Sequence, residues 1–164
     1  DLSSTNLSYA DLSSTNLRYA NLRSADISYA NLSSTNLSYA DISYADLRYA
    51  NLRSADLSST NLSYADLSST NLRYANLRSA DISYADLRYA NLRSADGFKF
   101  KPLQIVNTKF FITILDDNVL WGCKKMSFDD VKNFKFSDCT AEWDENEFEL
   151  NKKIITEMIR YYRK

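Results

Sequence analysis

The sequence predicts an all-β solenoid followed by a small α+β C-terminal module, and three observations carry that prediction. Residues 1 to 95 repeat with an unbroken period of five, nineteen pentads in a row. The composition then changes abruptly: residues 1 to 96 contain no Gly, Pro, Phe, Trp, Lys, Glu or Cys, whereas residues 97 to 164 hold all eight Phe, both Trp, all ten Lys and all five Glu. The third is the absence of His from all 164 residues. It excludes Ser-His and Cys-His nucleophilic catalysis and every His-containing metal site, and leaves structure as the main duty of the repeats.

The remaining composition narrows the class further. Cys123 and Cys139 are too few for a four-cysteine zinc site or a secreted disulfide framework, so the expected setting is reduced and cytoplasmic. No run approaches the roughly 18 apolar residues of a membrane helix, and the N-terminus shows no basic and apolar signal peptide. No cofactor, small-molecule substrate or membrane partner is implied.

Each pentad reads Asp/Asn, Leu/Ile, Ser/Arg, Ser/Tyr, Ala/Thr. The apolar position is Leu except at Ile27, Ile42 and Ile82; the small position is Ala except at Thr5, Thr15, Thr35, Thr60 and Thr70. On an α-helix five residues advance the face by about 140° net, so the Leu positions would spiral around every side and bury nothing. On a continuous strand an odd period sends successive Leu residues to opposite faces. A short extended segment such as Ala25-Asp26-Ile27, small-in, polar-out, apolar-in, followed by a two-residue corner, satisfies the pattern. One corner per pentad closes a tube.

The A-(D/N)-L-x-x pattern, as in Ala45-Asp46-Leu47-Arg48-Tyr49, resembles the pentapeptide-repeat family over residues 1 to 96. The resemblance implies a right-handed quadrilateral β-helix in which four pentads make a square coil of about 20 residues. Leu/Ile and Ala/Thr point inward and the other three positions outward. Nineteen pentads then give nearly five coils, a rod roughly 20 to 25 Å long at the ordinary strand spacing.

With that coil, residues 20 apart lie above one another. Tyr9, Tyr29 and Tyr49 form one column, Tyr44, Tyr64 and Tyr84 another, and Arg53, Arg73 and Arg93 a third. These nine residues are the candidate interaction surface, for bases stack on aromatic rings and Arg pairs with phosphate. The competing reading makes the Tyr ladders a cover for the rod and the Arg residues counterions for Asp. A tract with 8 Arg against 10 Asp carries no net basic footprint, which argues against nucleic acid. The family resemblance also implies DNA mimicry toward DNA gyrase among strongly acidic members. Here half of the twenty Asp/Asn positions are neutral Asn, so the dense charge of a duplex is missing. Outward Thr arrays for ice binding are missing too, since the five Thr occupy the inward position.

From Gly97 the pentads end, and Pro102 opposes further ladder pairing. Residues 104–107, 110–115 and 119–124 read as short strands of an antiparallel meander. Ser127 followed by Asp130 predicts a helix start, with Val131 to Phe134 as its amphipathic stretch. A second helix is expected from Glu145 to Arg163, with Leu150, Ile154, Ile155, Met158, Ile159 and Tyr162 as its apolar stripe. The segment 121–134 resembles a module that follows pentapeptide repeats in phage and bacterial proteins, with Val131 where a Trp is expected. The acidic group Glu142, Asp144, Glu145, Glu147 and Glu149 reads as a solvated helix start. The two Cys read as buried small hydrophobes.

The expected function is therefore a non-enzymatic structural scaffold, residues 1–96 forming the solenoid and 97–164 capping its open edge. Seven different pentads generate the whole tract, residues 1–30 recur identically as 56–85, and the chain lacks an initiator Met, which points to an engineered or consensus-like tract. The alternative is a natural phage or bacterial module that binds a protein through the Tyr/Arg columns. A homodimer by end-to-end stacking of coils is a further expectation.

Overall fold

The computed structural model describes residues 1–98, 103–105, 112–114, 118–121, 124–135, 137 and 144–162. Its repeat tract is built from one local event performed nineteen times. In the pentad 46–50, the Leu47 carbonyl accepts from the Ala50 N–H at 3.0 Å, closing a tight turn over Arg48 and Tyr49. The fourth pentad residue, Ser or Tyr throughout, sits at φ between 55° and 62°. A positive φ there and at no neighbouring position has the sign pattern of a type II turn, which normally takes Gly or Asn at that point. Ser and Tyr are strained in this region, so something must hold them.

Two sets of hydrogen bonds do so. The Asp/Asn side chain accepts through Oδ1 from the backbone N–H two residues on, as in Ser58 to Asp56 at 3.0 Å and Ser38 to Asn36 at 3.0 Å. This Asx turn uses an atom that Asp and Asn share, which explains why the two interchange freely. The second set joins coils. The Leu47 N–H donates to the Asp66 carbonyl at 2.8 Å, the Tyr49 N–H to the Ser68 carbonyl at 3.2 Å, and the Asp66 N–H to the Ala45 carbonyl at 2.9 Å. Parallel bridges therefore connect residues 20 apart, from Asn6↔Asp26 to Asn76↔Asp96. Four pentads make a coil, and the rod has four sides.

Leu, Ile and Ala fill its axis. From Leu22 to Leu72 the apolar side chains are essentially sealed, Leu47 at 0% exposure. Burying each contributes roughly 1.5 to 3 kcal/mol. The five Thr are inward as expected, and their hydroxyls donate to Leu carbonyls: Thr35 to Leu12 at 2.7 Å, Thr60 to Leu37 at 2.8 Å, Thr70 to Leu67 at 2.6 Å. The two ends differ. Leu2, Leu7, Leu12 and Leu17 of the first coil are only partly buried; in the last, Ile82 is partly buried as well, whereas Leu77, Leu87 and Leu92 stay at 5% exposure or less, and Phe98 packs against this core.

Beyond it lies a four-stranded antiparallel meander in the order β1-β2-β3-β4, formed by Leu103–Ile105, Ile112–Ile114, Asn118–Trp121 and Lys124–Ser127. Two helices follow, α1 (Phe128–Asn133) and α2 (Glu145–Tyr162). The run expected as one strand over 119–124 is instead the end of one strand and the start of another, because Trp121 pairs with Lys124 across a hairpin. Ser127 caps α1 in a full capping box: its hydroxyl accepts from the Asp130 N–H at 3.1 Å, and its N–H donates to Asp130 Oδ2 at 3.1 Å.

The stripe of α2 needs correction. Phe148, Ile155 and Ile159 are buried against Ile112, Ile114, Val119, Met126, Phe128 and Val131, with Met158 partly buried. Leu150 and Ile154 face the other way, at 59% and 37% exposure. At about 100° per residue, 150 and 154 lie opposite 148, 155 and 159. Asn151 takes the inward place, at 3% exposure and with Nδ2 lacking a hydrogen-bond partner. Cys123, Cys139, Glu142 and Arg163 lie outside the described residues.

Candidate interaction surface

The outer columns inherit their geometry from the coil. Because the fourth pentad position is the strained corner, its Tyr residues project outward one above another at the coil spacing. Tyr9–Tyr29 and Tyr29–Tyr49 stack with ring centroids 4.9 and 4.8 Å apart and planes within 13°. Tyr44–Tyr64 and Tyr64–Tyr84 stack at 4.9 and 4.8 Å. All six candidate tyrosines are exposed, Tyr29 at 49% and Tyr9 at 75%. Packing each ring against its neighbours is worth about 0.5 to 1.5 kcal/mol per pair. Ring edges and hydroxyls remain in solvent.

The Arg column is a different case. Arg53 and Arg73 both approach the Tyr74 ring, at 5.7 and 5.2 Å from its centroid, and Arg73 Nη2 donates to the Tyr74 hydroxyl at 3.3 Å. Sequence reasoning missed Tyr74 because Ser54 and Ser94 flank it in its own column. Among the described residues Arg53, Arg73 and Arg93 form no ion pair, and Arg73 Nε is buried without a hydrogen-bond partner. The expectation that the Arg residues offset neighbouring Asp holds for three others, whereas Arg18 and Arg23 also form no ion pair among the described residues. Arg48 binds Asp46 at 2.6 Å and approaches Asp66 at 3.9 Å, Arg88 binds Asp86 at 2.5 Å, and Arg78 binds Asp96 at 2.9 Å. The Arg48 guanidinium holds the Asp46 carboxyl below its ordinary range, and Asp46 in turn pushes Arg48 up.

The columns could also have been extended from the same spacing of 20. Tyr19 stacks on Tyr39 at 5.2 Å, with Arg18 over both rings, and Arg23 lies 4.6 Å from the Tyr44 ring centroid. Beneath the Arg column the Asn side chains form an amide ladder, Asn51 Nδ2 donating to Asn31 Oδ1 at 3.1 Å and Asn71 Nδ2 to Asn51 Oδ1 at 3.2 Å. Asp144, Glu145 and Glu149 are exposed at the start of α2, and no group of metal-ligating side chains is found among the described residues.

Known proteins match the repeat tract. The family model for pentapeptide repeats matches in 8 copies over residues 1–33, 35–73 and 60–96. No curated protein matches the chain at the sequence level. Among solved structures it is similar to Rfr23, a pentapeptide repeat protein of the cyanobacterium Cyanothece 51142, at 35% identity and TM-score 0.54, over 56% of this chain and 63% of that one. The chain thus spans less than two thirds of Rfr23. A pentapeptide repeat protein of the Arabidopsis thaliana thylakoid lumen is 30% identical at TM-score 0.57, over 62% and 70% of the two chains. A third, from Nostoc PCC 7120, is 33% identical at TM-score 0.51, over 56% and 83%. Square coils joined 20 residues apart, an inward Leu/Ala core and family-model matches across residues 1–96 place this chain in the pentapeptide-repeat family.

Proposed function

We propose that the chain is a non-enzymatic structural scaffold, a short rod that holds side chains in columns at a fixed spacing. The observation that carries this reading is how the polar groups of the tract are used. In each of the nineteen pentads the Asx Oδ1 caps its own turn, as at Asp26, Asn51 and Asp81, and the inward Thr hydroxyls serve buried carbonyls. What faces outward and remains available is Tyr, Arg and the corner Ser. Repetition of residues 1–30 as 56–85 fits a tract assembled by duplication or by design.

Residues 97–164 complete the scaffold as its cap in this reading. The support is the covering of the last coil: Leu87 and Leu92 stay buried and Phe98 packs against the core, while Ile82 and Ala95 are partly buried. Removing residues 97–164 should expose the last coil's edge and give aggregation, read by light scattering. A truncated rod that stayed soluble and monomeric would remove the cap from the proposal.

A second reading, a protein-binding module, is favoured by the Arg column without carboxylate partners and by the exposed Tyr stacks. Tyr29→Ala with Tyr49→Ala, and Arg53→Ala with Arg73→Ala, test it. If the columns are an interaction surface, these variants keep the fold by circular dichroism and lose a captured partner in a lysate pull-down. Melting that drops as far as for a core substitution assigns the columns to the rod's own cover instead.

A further inference from the structure

Charge on the rod is sorted by side. Taking the pentads in order around the square, the second side carries Asp26, Asp46, Asp66 and Asp86 in one column, bridged coil to coil, against Arg48 and Arg88. The third side, at right angles to it, carries Arg53, Arg73 and Arg93, with Asp11 far below and neutral Asn31, Asn51, Asn71 and Asn91 between. Both columns have the same repeat distance because the same coil stacking sets both. Tyr rings on the corners report it directly, at 4.8 to 4.9 Å. An extended peptide does not carry charges at that rise, since a strand's side chains on one face recur at about 6.8 Å.

We propose that the Arg column of one copy docks against the Asp column of a second copy, with rod axes parallel. Coil for coil, Arg53 then meets the partner's Asp46, Arg73 meets the partner's Asp66, and Arg93 meets the partner's Asp86. Three observations support a second copy over other occupants: matched period, complementary net sign, and three Arg with no carboxylate partner among the described residues facing a column of four Asp that carries only Arg48 and Arg88, which hold Asp46, Asp66 and Asp86 and leave Asp26 without an ion pair there. A net charge of −1 sets no long-range repulsion against it. The two sides are perpendicular, so the contact is heterologous and repeating it closes a ring of roughly four copies. The proposal rests on the reading of the outer columns as an interaction surface, and supplies its partner.

Sedimentation velocity on the intact chain tests it. Expected is concentration-dependent association at about 0.01 M salt, where the Debye length is about 30 Å, lost at about 1 M, where it is about 3 Å. The triple variant Arg53→Glu, Arg73→Glu, Arg93→Glu should associate at least about tenfold more weakly at low salt. Replacing Asp26, Asp46, Asp66 and Asp86 by Asn should do the same while keeping every Asx turn, because Asn retains the Oδ1 acceptor. Circular dichroism checks that each variant is folded, and the Asn set carries the test if the Glu set is not.

A parent chain that stays monomeric at low salt overturns the proposal, as does association indifferent to salt or to both variant sets. Association abolished by Leu7→Lys but not by the charge variants overturns it in favour of end-to-end stacking. A monomeric parent whose Arg variant loses binding to a single-stranded oligonucleotide or to a lysate protein overturns self-association yet keeps the interaction surface. A parent that shows none of these bindings overturns both.

Discussion

Leu47, at 0% exposure in the middle of the rod, shows what each residue position is for. Its N–H and carbonyl are both bonded, so its side chain has only to fill space. Leu47→Ala should destabilise by about 2 to 5 kcal/mol and Leu47→Asp by more, whereas Ser58→Ala on a corner should stay within about 0.5 kcal/mol. Urea midpoints compare them; equal midpoints would remove the inward assignment. The Asx position makes a subtler demand, for one oxygen acceptor and no particular charge. Asn36→Asp should be nearly neutral and Asn36→Ala should cost about 1 kcal/mol, because Ala leaves the Ser38 N–H and hydroxyl without their acceptor. Thermal melts of the pair check this.

At the scale of elements, two local devices set the C-terminal module. The capping box of α1 couples Ser127 to Asp130, and the Ser127 hydroxyl and N–H hold the Asp130 carboxyl below its ordinary range. Ser127→Ala should cost about 1 kcal/mol. A carboxyl lowered in the folded state stabilises above its unfolded pKa, so this contribution is complete above about pH 5 and fades as pH falls through the acid range. Asp130→Asn should flatten that part of the acid limb in a pH-dependent denaturation series. The exit from the rod depends on Gly97 instead. At φ 105°, a Cβ there would come within 2.4 Å of the Leu77 carbonyl carbon and 2.5 Å of the Arg78 nitrogen, backbone atoms that cannot step aside. Gly97→Ala should therefore lower stability by about 1 to 3 kcal/mol, measured by calorimetry.

For the whole molecule, stability is a sum over neighbouring coils, and the sum is uneven along the rod. Inner coils have a coil on each side and sealed Leu residues; the first coil has one neighbour and half-covered Leu2, Leu7, Leu12 and Leu17. Hydrogen exchange followed by mass spectrometry should show strongest protection over roughly residues 22–75 and fastest exchange in the first coil. Uniform protection from residue 1 onward would mean that the open end is covered in solution. Charge sorting belongs to this scale as well, since no single pentad is basic or acidic enough to matter.

The sequence by itself determined the solenoid and the inward direction of its Leu, Ile, Ala and Thr side chains, though Ser28, Ser38 and Ser43, expected outward, are buried. Nineteen copies of one pattern leave a single backbone solution, and a spacing of 20 then fixes which Tyr and Arg share a column. The irregular module was legible only in outline: Ser127 and Asp130 announced their helix, but Leu150 and Ile154 proved exposed and Asn151 buried, because short apolar runs without repetition do not reveal which neighbour they will face. Tertiary structure alone decided three further points. Among the described residues Arg53, Arg73 and Arg93 are left without carboxylates while Arg48, Arg78 and Arg88 are paired. Tyr74 takes two cations instead of an aromatic partner. Asp and Arg concentrate on perpendicular sides. Each depends on distances across coils, and composition, which counts charges without locating them, averages such distances away.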